Sequence, residues 1–520
     1  MMDTSAFFAT KASEQLIPAP MRIVDTDGAF TFGSDTGIVY QSGLASEARI
    51  AAADLATALG YASPLPVVER THLRGSDTAR IIIRLVPAWD DGHGAEAYLI
   101  ETTTDAIVIE AMAPDGIWHG LQTIRQLILV SGASIPCFSC IDSPRFAWRG
   151  FMLDCSRHFF SVEFIKKMID AASLHHLNRF HWHLVDDQGW RLPVPEYPRL
   201  TEIGAYRTDL RQSWDNTYGD FYRAEQIQEI VRYADERHVM VVPEIETPGH
   251  ASALLAAYPE LGCTGGPYQV EDRWGIFDDV MCVGNDKVLD VLDAVFRTTA
   301  QLFPGPYIHI GGDECPKVRW KECPKCNKRL LENHLATFDE LQSWMTVQVV
   351  KLIQKYGRRA IGWDEVLEGT ETLGLPKDVI VMSWRGLEGG IKASSMGHEV
   401  IMCPTTGGCY LDHKHLDDID EPGNISVATV RDSYEADPIA PGMDETQARM
   451  VIGGQGNLWT EKVCFAKHAE YMFFPRLAAL AEGLWTPREN KDFASFSRRI
   501  PALHRRLDAL GFSYYKGALS

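Results

Sequence analysis

The fold of this chain is decided by residues 150–185, GFMLDCSRHFFSVEFIKKMIDAASLHHLNRFHWHLV. This stretch opens with a short apolar run, Gly150–Asp154, and closes with another, Arg179–Val185, and both have the length and composition of strands. Between them, Ser161 is placed to cap a helix. The apolar side chains of that helix share one face: Phe164, Ile165, Met168, Ile169 and Ala172. This order predicts two parallel strands joined by a crossover helix.

The same alternation continues along the chain. We predict strands at Gly150–Asp154, Arg179–Val185, Val239–Ile245, Tyr307–Ile310, Arg359–Trp363, Val379–Trp384, Glu399–Cys403 and Met450–Gly454. Helical patterns lie between them, one of which begins with the capping box Thr337–Glu340 and ends at Gly357. Eight strand–helix repeats predict an α/β fold, the (β/α)₈ TIM barrel, whose active sites lie at the carboxyl ends of the strands.

The flanking segments have a different pattern. We predict that residues 1–144 form a small α+β accessory domain with an antiparallel sheet, that 145–487 form the barrel, and that 488–520 form a helical tail packed on the barrel. The accessory domain contains β-rich runs at Ala79–Leu85, Tyr98–Glu101 and Ala106–Glu110. The last two are separated by a polar turn, which favours an antiparallel pair. Ser131–Pro136 has the composition of a linker.

Composition excludes several classes of protein. The 520 residues include 70 Asp and Glu against 50 Lys and Arg, a net charge of −20, so nucleic acid and anionic membranes are poor partners. No apolar run reaches the roughly 18 residues of a membrane span. The start Met1–Ser5 has no basic segment before an apolar one, so we expect a cytoplasmic protein, with secretion left open. The oligomeric state, monomer or homodimer, is not readable.

The 11 cysteines are odd in number and scattered, which favours reduced thiols over a disulfide framework. Two alternatives stay open. Cys315, Cys323 and Cys326 have zinc-like spacing, for which His334 is the nearest histidine that would complete the ligand set. Cys263 and Cys282 flank a glycine-rich loop and could pair in an oxidising compartment.

Polar and aromatic residues concentrate at the predicted carboxyl ends of the strands. They are Asp154, Arg157, Asp186, Glu246, His250, Asp313, Glu314, Trp363, Trp384, Tyr410, Asp412, Trp459 and Glu461. Aromatic faces pack on the C–H faces of sugars, and a carboxylic acid can protonate a glycosidic oxygen. The pattern therefore predicts glycoside hydrolysis.

The pair Asp313-Glu314 is the most informative feature. It follows Gly311 and Gly312, which leave room for a ligand to approach the backbone. Successive strand residues point to opposite faces, so the two carboxylates serve one ligand only if the strand has already ended. Like charges this close are expected to raise the pKa of one of them.

Five motifs resemble those of the family 20 glycoside hydrolases, the β-N-acetylhexosaminidases. They are Arg149–His158, His181–Arg191, Pro243–His250, His309–Glu314 and Gly454–Glu461. The resemblance covers about 145–487 and extends to Gly120–Leu127 in the accessory domain. It implies removal of terminal non-reducing β-linked GlcNAc or GalNAc from an oligosaccharide or glycoconjugate. The mechanism it implies is retaining and substrate-assisted, with an oxazolinium intermediate formed by the substrate's own acetamido oxygen.

The resemblance also implies roles for individual residues. Glu314 would be the general acid and base, Asp313 would hold the acetamido N–H, and Tyr410 would donate to the acetamido oxygen. The substrate-binding residues would be Trp363, Trp384 and Trp459 as pocket walls, Arg157, Asp412 and Glu461 on the sugar hydroxyls, and Asp186, Glu246 and His250 as supports. Glu246 departs from the family, which commonly has Asp there. No cofactor or metal is implied.

Two other classes remain open from the residues alone. His181 and His183 lie two apart on a strand, and with His250, His309 and Asp313 they could form the centre of a metal-dependent barrel hydrolase. A non-catalytic amino-sugar-binding protein would also use the tryptophans. The intact Asp313-Glu314 pair argues against it, because binding alone needs no acid.

Overall fold

The computed structural model describes residues 11–70, 81–87, 89, 94–209 and 217–520. The start Met1–Ser5, on which the expected localisation rests, lies outside the described residues, as do the first two residues of the strand predicted at Ala79. Among the described residues, no helix combines the length and the apolarity needed to cross a membrane.

The described residues of the N-terminal unit form a seven-stranded sheet. Its strands in chain order are Arg22–Thr31, Ile38–Tyr40, Val67–Glu69, Ile81–Leu85, Tyr98–Thr102, Ile107–Ala111 and Ser134–Asp142. Their spatial order is first, seventh, fifth, sixth, fourth, second, third. The predicted pairing of the Tyr98 and Ile107 strands is antiparallel, as expected. The sheet as a whole is mixed, because helix Ala45–Ala58 makes the long crossover that lets the second and third strands run parallel.

The predicted linker at Ser131–Pro136 is wrong. Helix Pro114–Ser131 ends at Gly132, whose φ of +71° turns the chain, and strand Ser134–Asp142 follows at once. Pro136 is tolerated in this strand because its partner Ala29 lies at an irregularity in the neighbouring strand, where the ladder is already interrupted.

Eight parallel strands close into the predicted barrel. They are Trp148–Asp154, Arg179–His183, Met240–Glu244, Tyr307–His309, Arg359–Trp363, Ile380–Ser383, Val400–Met402 and Val451–Leu458, here numbered one to eight. Every predicted barrel strand is therefore present. In the described part of the loops there are three short two-stranded pairs: Val185–Asp186 with Gly189–Trp190, Tyr206–Thr208 with Thr217–Gly219, and His413–Lys414 with Asn424–Val427.

Helices surround this barrel. Among the described residues, the α-helices that follow barrel strand one are Val162–Leu174, Arg199–Glu202, Ala224–Asp235, Ser252–Ala257, Asp286–Leu302, Val318–Glu322, Pro324–Glu332, Phe338–Lys355, Glu388–Ser395, Val430–Glu435, Glu445–Met450, Ala466–Phe473, Arg476–Trp485 and Phe493–Ala509. Short 3₁₀ turns occur at Ala12–Glu14, Pro259–Leu261, Asp364–Leu367 and Arg488–Asn490. Both predicted helix starts are confirmed. Ser161 Oγ accepts the Phe164 N–H at 3.3 Å, and Thr337 with Glu340 forms a capping box.

The barrel interior is unusually polar towards its carboxyl end. His181, His183, Glu244 and Gln455 are fully buried there, where many TIM barrels place branched apolar residues. Gln455 Nε2 donates to His181 Nδ1 at 2.9 Å. The apolar packing lies outside the strands instead: Phe151 and Phe180, for example, stack with ring centroids 4.9 Å apart. The polar interior supports the site described below.

The C-terminal helix Phe493–Ala509 joins both units. Its Phe496 and Leu503 are buried in the barrel's apolar cluster. Its Arg499 forms a bidentate ion pair with Glu482, with N–O distances of 2.6 and 2.7 Å, and also donates to the Leu16 carbonyl of the N-terminal unit at 2.7 Å. One buried cation therefore holds three segments of chain together.

We expect Arg499→Ala to lower stability by about 3–5 kcal/mol, because it leaves the Glu482 carboxylate buried and unpaired. Arg449→Ala is the matched control, since Arg449 pairs with Glu445 on the surface and should change stability by about 0.5 kcal/mol or less. Thermal melts of both variants test this. Equal melting temperatures would show that the Arg499 ion pair contributes nothing.

Candidate active site at the carboxyl mouth of the barrel

A cavity of about 270 Å³ opens at the carboxyl ends of the strands. Its lining residues are Arg157, His250, Asp313, Glu314, Trp363, Trp384, Thr405, Tyr410, Asp412, His413, Asn424, Trp459 and Glu461. Ten of the twelve predicted site residues are in this set. The other two, Asp186 and Glu246, are buried next to it rather than in its wall. Thr405, His413 and Asn424 were not predicted.

The acidic pair lies in a loop, because strand four has already ended at His309. Gly311, Gly312 and Glu314 all have positive φ, at +66°, +101° and +45°. For Glu314 this conformation is strained, since its Cβ crowds the backbone. The turn orients the two side chains differently: Asp313 is buried, whereas the Glu314 carboxylate is 34% exposed. The strand therefore ends before the acidic pair, and this is the condition under which both carboxylates can serve one ligand.

A chain of charged groups supports this loop. His250 Nδ1 lies 2.9 Å from Asp187 and 3.3 Å from Asp186, and its Nε2 lies 3.7 Å from Asp313 and 3.6 Å from Glu314. Burial opposes the imidazolium, but Asp186, Asp187 and Glu314 together raise the pKa of His250 well above its usual value. The charged form of His250 is therefore favoured beside both carboxylates of the pair.

Asp186 is the junction of this chain. Arg157 Nη2 lies 2.9 Å from its Oδ2, and His183 Nε2 also contacts Oδ2 at 2.9 Å. Burial disfavours the carboxylate, yet Arg157 and His250 hold the pKa of Asp186 well below its ordinary range. Asp186 is thus a fixed negative charge that orients the residues around it.

Asp313 and Glu246 lie in the opposite electrostatic situation. Burial is the largest cause that raises the pKa of Asp313 to about 6, and the Glu244 and Glu314 carboxylates add to it. The expected effect of like charge is present, but it is secondary to desolvation. Burial and the nearby Asp313 raise the pKa of Glu246 well above its usual value, which favours the neutral form of this carboxyl group.

The histidines proposed for a metal centre fall into two groups. His181, His183 and His309 surround the buried carboxylate of Glu244, at distances of 2.9, 2.5 and 2.7 Å. His250 belongs to the other group, with Asp186 and Asp187. The five candidate ligands therefore do not converge on one point. The first three form an imidazole–carboxylate network inside the barrel, and His250 supports the acidic loop.

Aromatic rings form the walls of the cavity. The rings of Trp363 and Trp459 lie 5.9 Å apart, and Tyr410 stacks on Trp384 at 6.4 Å. Trp384 Nε1 donates to Glu365 at 2.9 Å, which fixes the plane of its indole. Tyr410 belongs to the loop after strand seven, and that loop pairs with Asn457 at the end of strand eight.

The remaining wall is polar. The Arg157 guanidinium lies 3.9 Å from Glu461 and 5.1 Å from the centre of the Trp459 ring. Asp412 accepts from Asn424 Nδ2 at 3.3 Å. Burial, followed by the Glu461 carboxylate, raises the pKa of Asp412 to about 7. This wall therefore offers one cation and several acceptors to a ligand rich in hydroxyls.

A buried arginine holds the loop that carries Tyr410 and Asp412. Arg476 is fully buried and donates to the carbonyls of Leu411, His413 and Ala428 at 2.7–2.9 Å. Arg191, which itself follows strand two, acts in the same way on the loop after strand one, through the carbonyls of Cys155 and Ser156. Both arginines use the fixed fork of the guanidinium to satisfy several backbone acceptors at once.

Sequence reasoning assigned no role to several supporting residues. Asp154, Asp187 and Glu244 lie at strand ends within quoted motifs, so the signal for them was present. Asp154 accepts from the backbone N–H groups of Ser156, Arg157 and Thr460, which joins strand one to strand eight. Arg476 and Asn424 gave no signal, because their partners are distant in sequence.

The eight-stranded barrel and this acidic, tryptophan-walled site define a glycoside hydrolase. The chain belongs to glycosyl hydrolase family 20. The catalytic domain of that family matches residues 146–488, and its domain 2 matches residues 13–143. These two matched segments correspond to the barrel and to the N-terminal sheet described above.

Relatives extend over nearly the whole chain. A beta-hexosaminidase of Porphyromonas gingivalis is 41% identical over 96% of this chain, which spans 64% of that relative's length. A beta-hexosaminidase of Akkermansia muciniphila is 31% identical, over 88% of this chain and 93% of its own length. Among solved structures, a GH20 exo beta-N-acetylglucosaminidase of Vibrio harveyi superimposes with a TM-score of 0.86 at 31% identity, covering 98% of this chain and 79% of its own.

We expect Gly311→Ala to destabilise the protein far more than Gly357→Ala. Both glycines have φ near +70°, which costs an L-residue about 1–2 kcal/mol. A Cβ at Gly357 meets no atom within 4 Å, whereas one at Gly311 would lie 1.7 Å from the Glu246 carboxylate. The melting temperatures compare the two directly, and equal decreases would contradict a tight contact between Gly311 and Glu246.

Proposed function

We propose that this chain is an exo-acting, retaining β-N-acetylhexosaminidase. Its substrate would be a terminal non-reducing β-linked GlcNAc or GalNAc of an oligosaccharide or glycoconjugate. The observation that carries the proposal is the strained loop at Glu314, which places a partly exposed carboxylate beside a buried one in a pocket walled by indoles. A cavity of about 270 Å³ has room for one pyranose ring with its acetamido group, which supports exo action.

In this proposal the substrate supplies its own nucleophile. The acetamido oxygen attacks C1 while Glu314 protonates the leaving oxygen, and an oxazolinium ion forms. Intramolecular attack gains from proximity, with effective molarities of roughly 10⁵–10⁸ M in well-oriented systems. Glu314, now a carboxylate, then removes a proton from the water that opens the oxazolinium ion. Configuration at C1 is retained because two displacements occur.

Asp313 would stabilise the charge that develops on the substrate. It accepts the acetamido N–H, and its interaction strengthens as the ring nitrogen becomes positive. Burial raises the pKa of Asp313 to about 6, so it is mostly ionised at pH 7 in a site with little water to screen it. An interaction that grows towards the transition state accelerates the chemical step rather than only tightening binding.

Tyr410 is suited to donate to the acetamido oxygen. Burial raises the pKa of its phenol well above the usual value, so the hydroxyl keeps its proton throughout the working pH range. Its ring lies against Trp384, which fixes its direction. A donor on the attacking oxygen aligns that oxygen with C1.

His250 would serve Glu314 without touching the substrate. Its Nε2 lies 3.6 Å from the Glu314 carboxylate, and Asp186 and Asp187 hold its other nitrogen. An imidazole at this distance attracts the Glu314 carboxylate and orients it towards the sugar. Arg157, Asp412 and Glu461 would bind the sugar hydroxyls at the far wall.

The comparisons agree with this assignment. Both relatives described above carry the name beta-hexosaminidase, and the Vibrio harveyi structure is a complex with N-acetylglucosamine. That sugar contains the 2-acetamido group that the mechanism requires.

The decisive test compares two 4-nitrophenyl glycosides that differ only at C2. We expect rapid release from the β-N-acetylglucosaminide and at least about 10³-fold slower release from the β-glucoside, which lacks the internal nucleophile. Glu314→Gln should lose about 10²–10⁴-fold on a substrate with a poor leaving group and less on an activated one.

Glu445→Gln is the matched control for Glu314→Gln, because Glu445 lies on the surface with its side chain 91% exposed. It should keep full activity. Comparable rates on the two glycosides would overturn the acetamido mechanism, and an unaffected Glu314→Gln would remove the assigned acid.

The family resemblance implies that Asp412 binds the 6-hydroxyl, so we expect Asp412 to disfavour sugars sulfated at O6, and to do so in a pH-dependent way. With its pKa raised to about 7, Asp412 is neutral below this pH and anionic above it. Sulfate stays anionic, so repulsion should grow as pH rises. The ratio of kcat/KM for plain over 6-sulfated 4-nitrophenyl GlcNAc should therefore increase from about pH 5.5 to about pH 8.5.

Asp412→Asn should make this ratio nearly independent of pH, whatever its effect on the absolute rate. A wild-type ratio of one at both pH values would show that Asp412 does not face O6.

A further inference from the structure

Four cysteines form one cluster. Each of the two cysteine sets considered from the sequence contains only two of them. The Sγ atoms of Cys263, Cys282, Cys323 and Cys326 all lie within 4.8 Å of one another. The individual separations are 3.8 Å for Cys263–Cys326 and 3.7 Å each for Cys282–Cys323 and Cys282–Cys326. This set, the four-cysteine cluster, includes neither Cys315 nor His334. The structure therefore groups Cys323 and Cys326 with Cys263 and Cys282, where spacing alone had grouped them with Cys315.

These distances match a tetrahedral metal site. A zinc–thiolate bond is about 2.3 Å long, so two sulfurs of a regular tetrahedral tetrathiolate lie about 3.8 Å apart. A disulfide would place its sulfurs at about 2.05 Å, and the cysteines of the cluster are free thiols. We propose that the four-cysteine cluster binds one Zn²⁺ ion through four thiolates, which form as each of the four thiols releases its proton on binding.

The backbone is shaped for this approach. Cys323 and Cys326 form a Cys-Pro-Lys-Cys turn at the start of helix Pro324–Glu332, and this turn places both sulfurs 3.7 Å from that of Cys282. Cys282 is fixed from the other side, because its N–H donates to the Leu261 carbonyl at 2.8 Å. Gly284 permits the contact between these segments: a Cβ there would lie 2.1 Å from the Lys325 carbonyl carbon.

Burial and charge are also suited to the ion. Cys282, Cys323 and Cys326 are at most 5% exposed and Cys263 is half-buried, so water has little access to three of the four sulfurs. Zn²⁺ with four thiolates carries a net charge of −2. The segment 317–329 contains six Lys and Arg residues against one Glu, which offsets that charge. Four protein ligands leave no open position, so the ion would be structural rather than catalytic.

The site would connect two loops that reach the active site. One loop runs from Glu314 to Cys323. The other lies between Cys263 and Cys282, where the Glu271 N–H donates to the Asp187 carbonyl and the Arg273 carbonyl accepts from Gln188. Gln188 in turn accepts from Arg157 at 3.0 Å. Zinc would therefore stabilise the surroundings of Glu314 and Arg157 without taking part in the reaction.

The test is the metal content of the full chain, purified with reductant from zinc-supplemented growth and passed over a desalting column. We expect about one zinc per chain by inductively coupled plasma mass spectrometry, the content of a single closed four-ligand site. Cys326→Ser and Cys282→Ser should lose it, whereas Cys137→Ala, a buried thiol of the N-terminal unit, should keep it. Replacement by Co²⁺ should give the visible absorption of a tetrahedral tetrathiolate.

A second measurement on the wild-type chain avoids the risk that a variant fails to fold. An organomercurial should release the zinc as the thiols of the cluster are titrated, with a fall in melting temperature. After denaturation without reductant, all 11 cysteines should react as thiols. A metal-free chain with 11 thiols overturns the proposal, and so does a chain with disulfides within the cluster.

Discussion

The structure of the active site depends on how charge is buried at the carboxyl mouth of the barrel. Closing eight strands and covering them with loops removes water from Asp186, Asp313 and Glu246. A buried carboxylate must then be paired with a cation or take up a proton. Asp186 is paired with Arg157 and His250, whereas Glu246 has no such partner among the described residues. Asp186 and Glu246 are both carboxylates buried at the mouth of the barrel, so the difference between their pKa values follows from their neighbours.

This sorting of carboxylates gives each one a separate task. The pKa of Asp186 is held low, so it is a permanent anion that fixes His250. The pKa of Asp313 is raised to about 6, so a positive charge on the ligand would shift this group further towards its ionised form. Environments that push neighbouring pKa values apart let one fold carry an acid, a base and fixed charges together. The buried arginines Arg191 and Arg476 complete the arrangement by holding the loops that carry the reacting side chains.

Much of the fold could be predicted because its signals are local. The apolar runs of the barrel strands, the Ser161 cap and the Thr337–Glu340 capping box depend on residues a few positions apart. The features that were predicted wrongly depend instead on contacts between residues distant in sequence. Strand Ser134–Asp142 was hidden by Pro136, which is accepted only because an irregularity in a distant strand lies beside it. The parallel members of the N-terminal sheet depend on crossovers whose direction local sequence does not encode.

The sequence by itself determined the barrel, the family and most of the residues around the cavity, because strand ends converge at one mouth in any closed barrel. Tertiary structure decided which of those residues are charged. It also decided that Glu244 binds three histidines and that Arg476 holds the Tyr410 loop. The cysteines show the same distinction between sequence and tertiary structure. Spacing in the sequence grouped Cys323 and Cys326 with Cys315, whereas packing places them beside Cys263 and Cys282. Contacts across dozens of residues depend on how elements pack, and no local pattern specifies that packing.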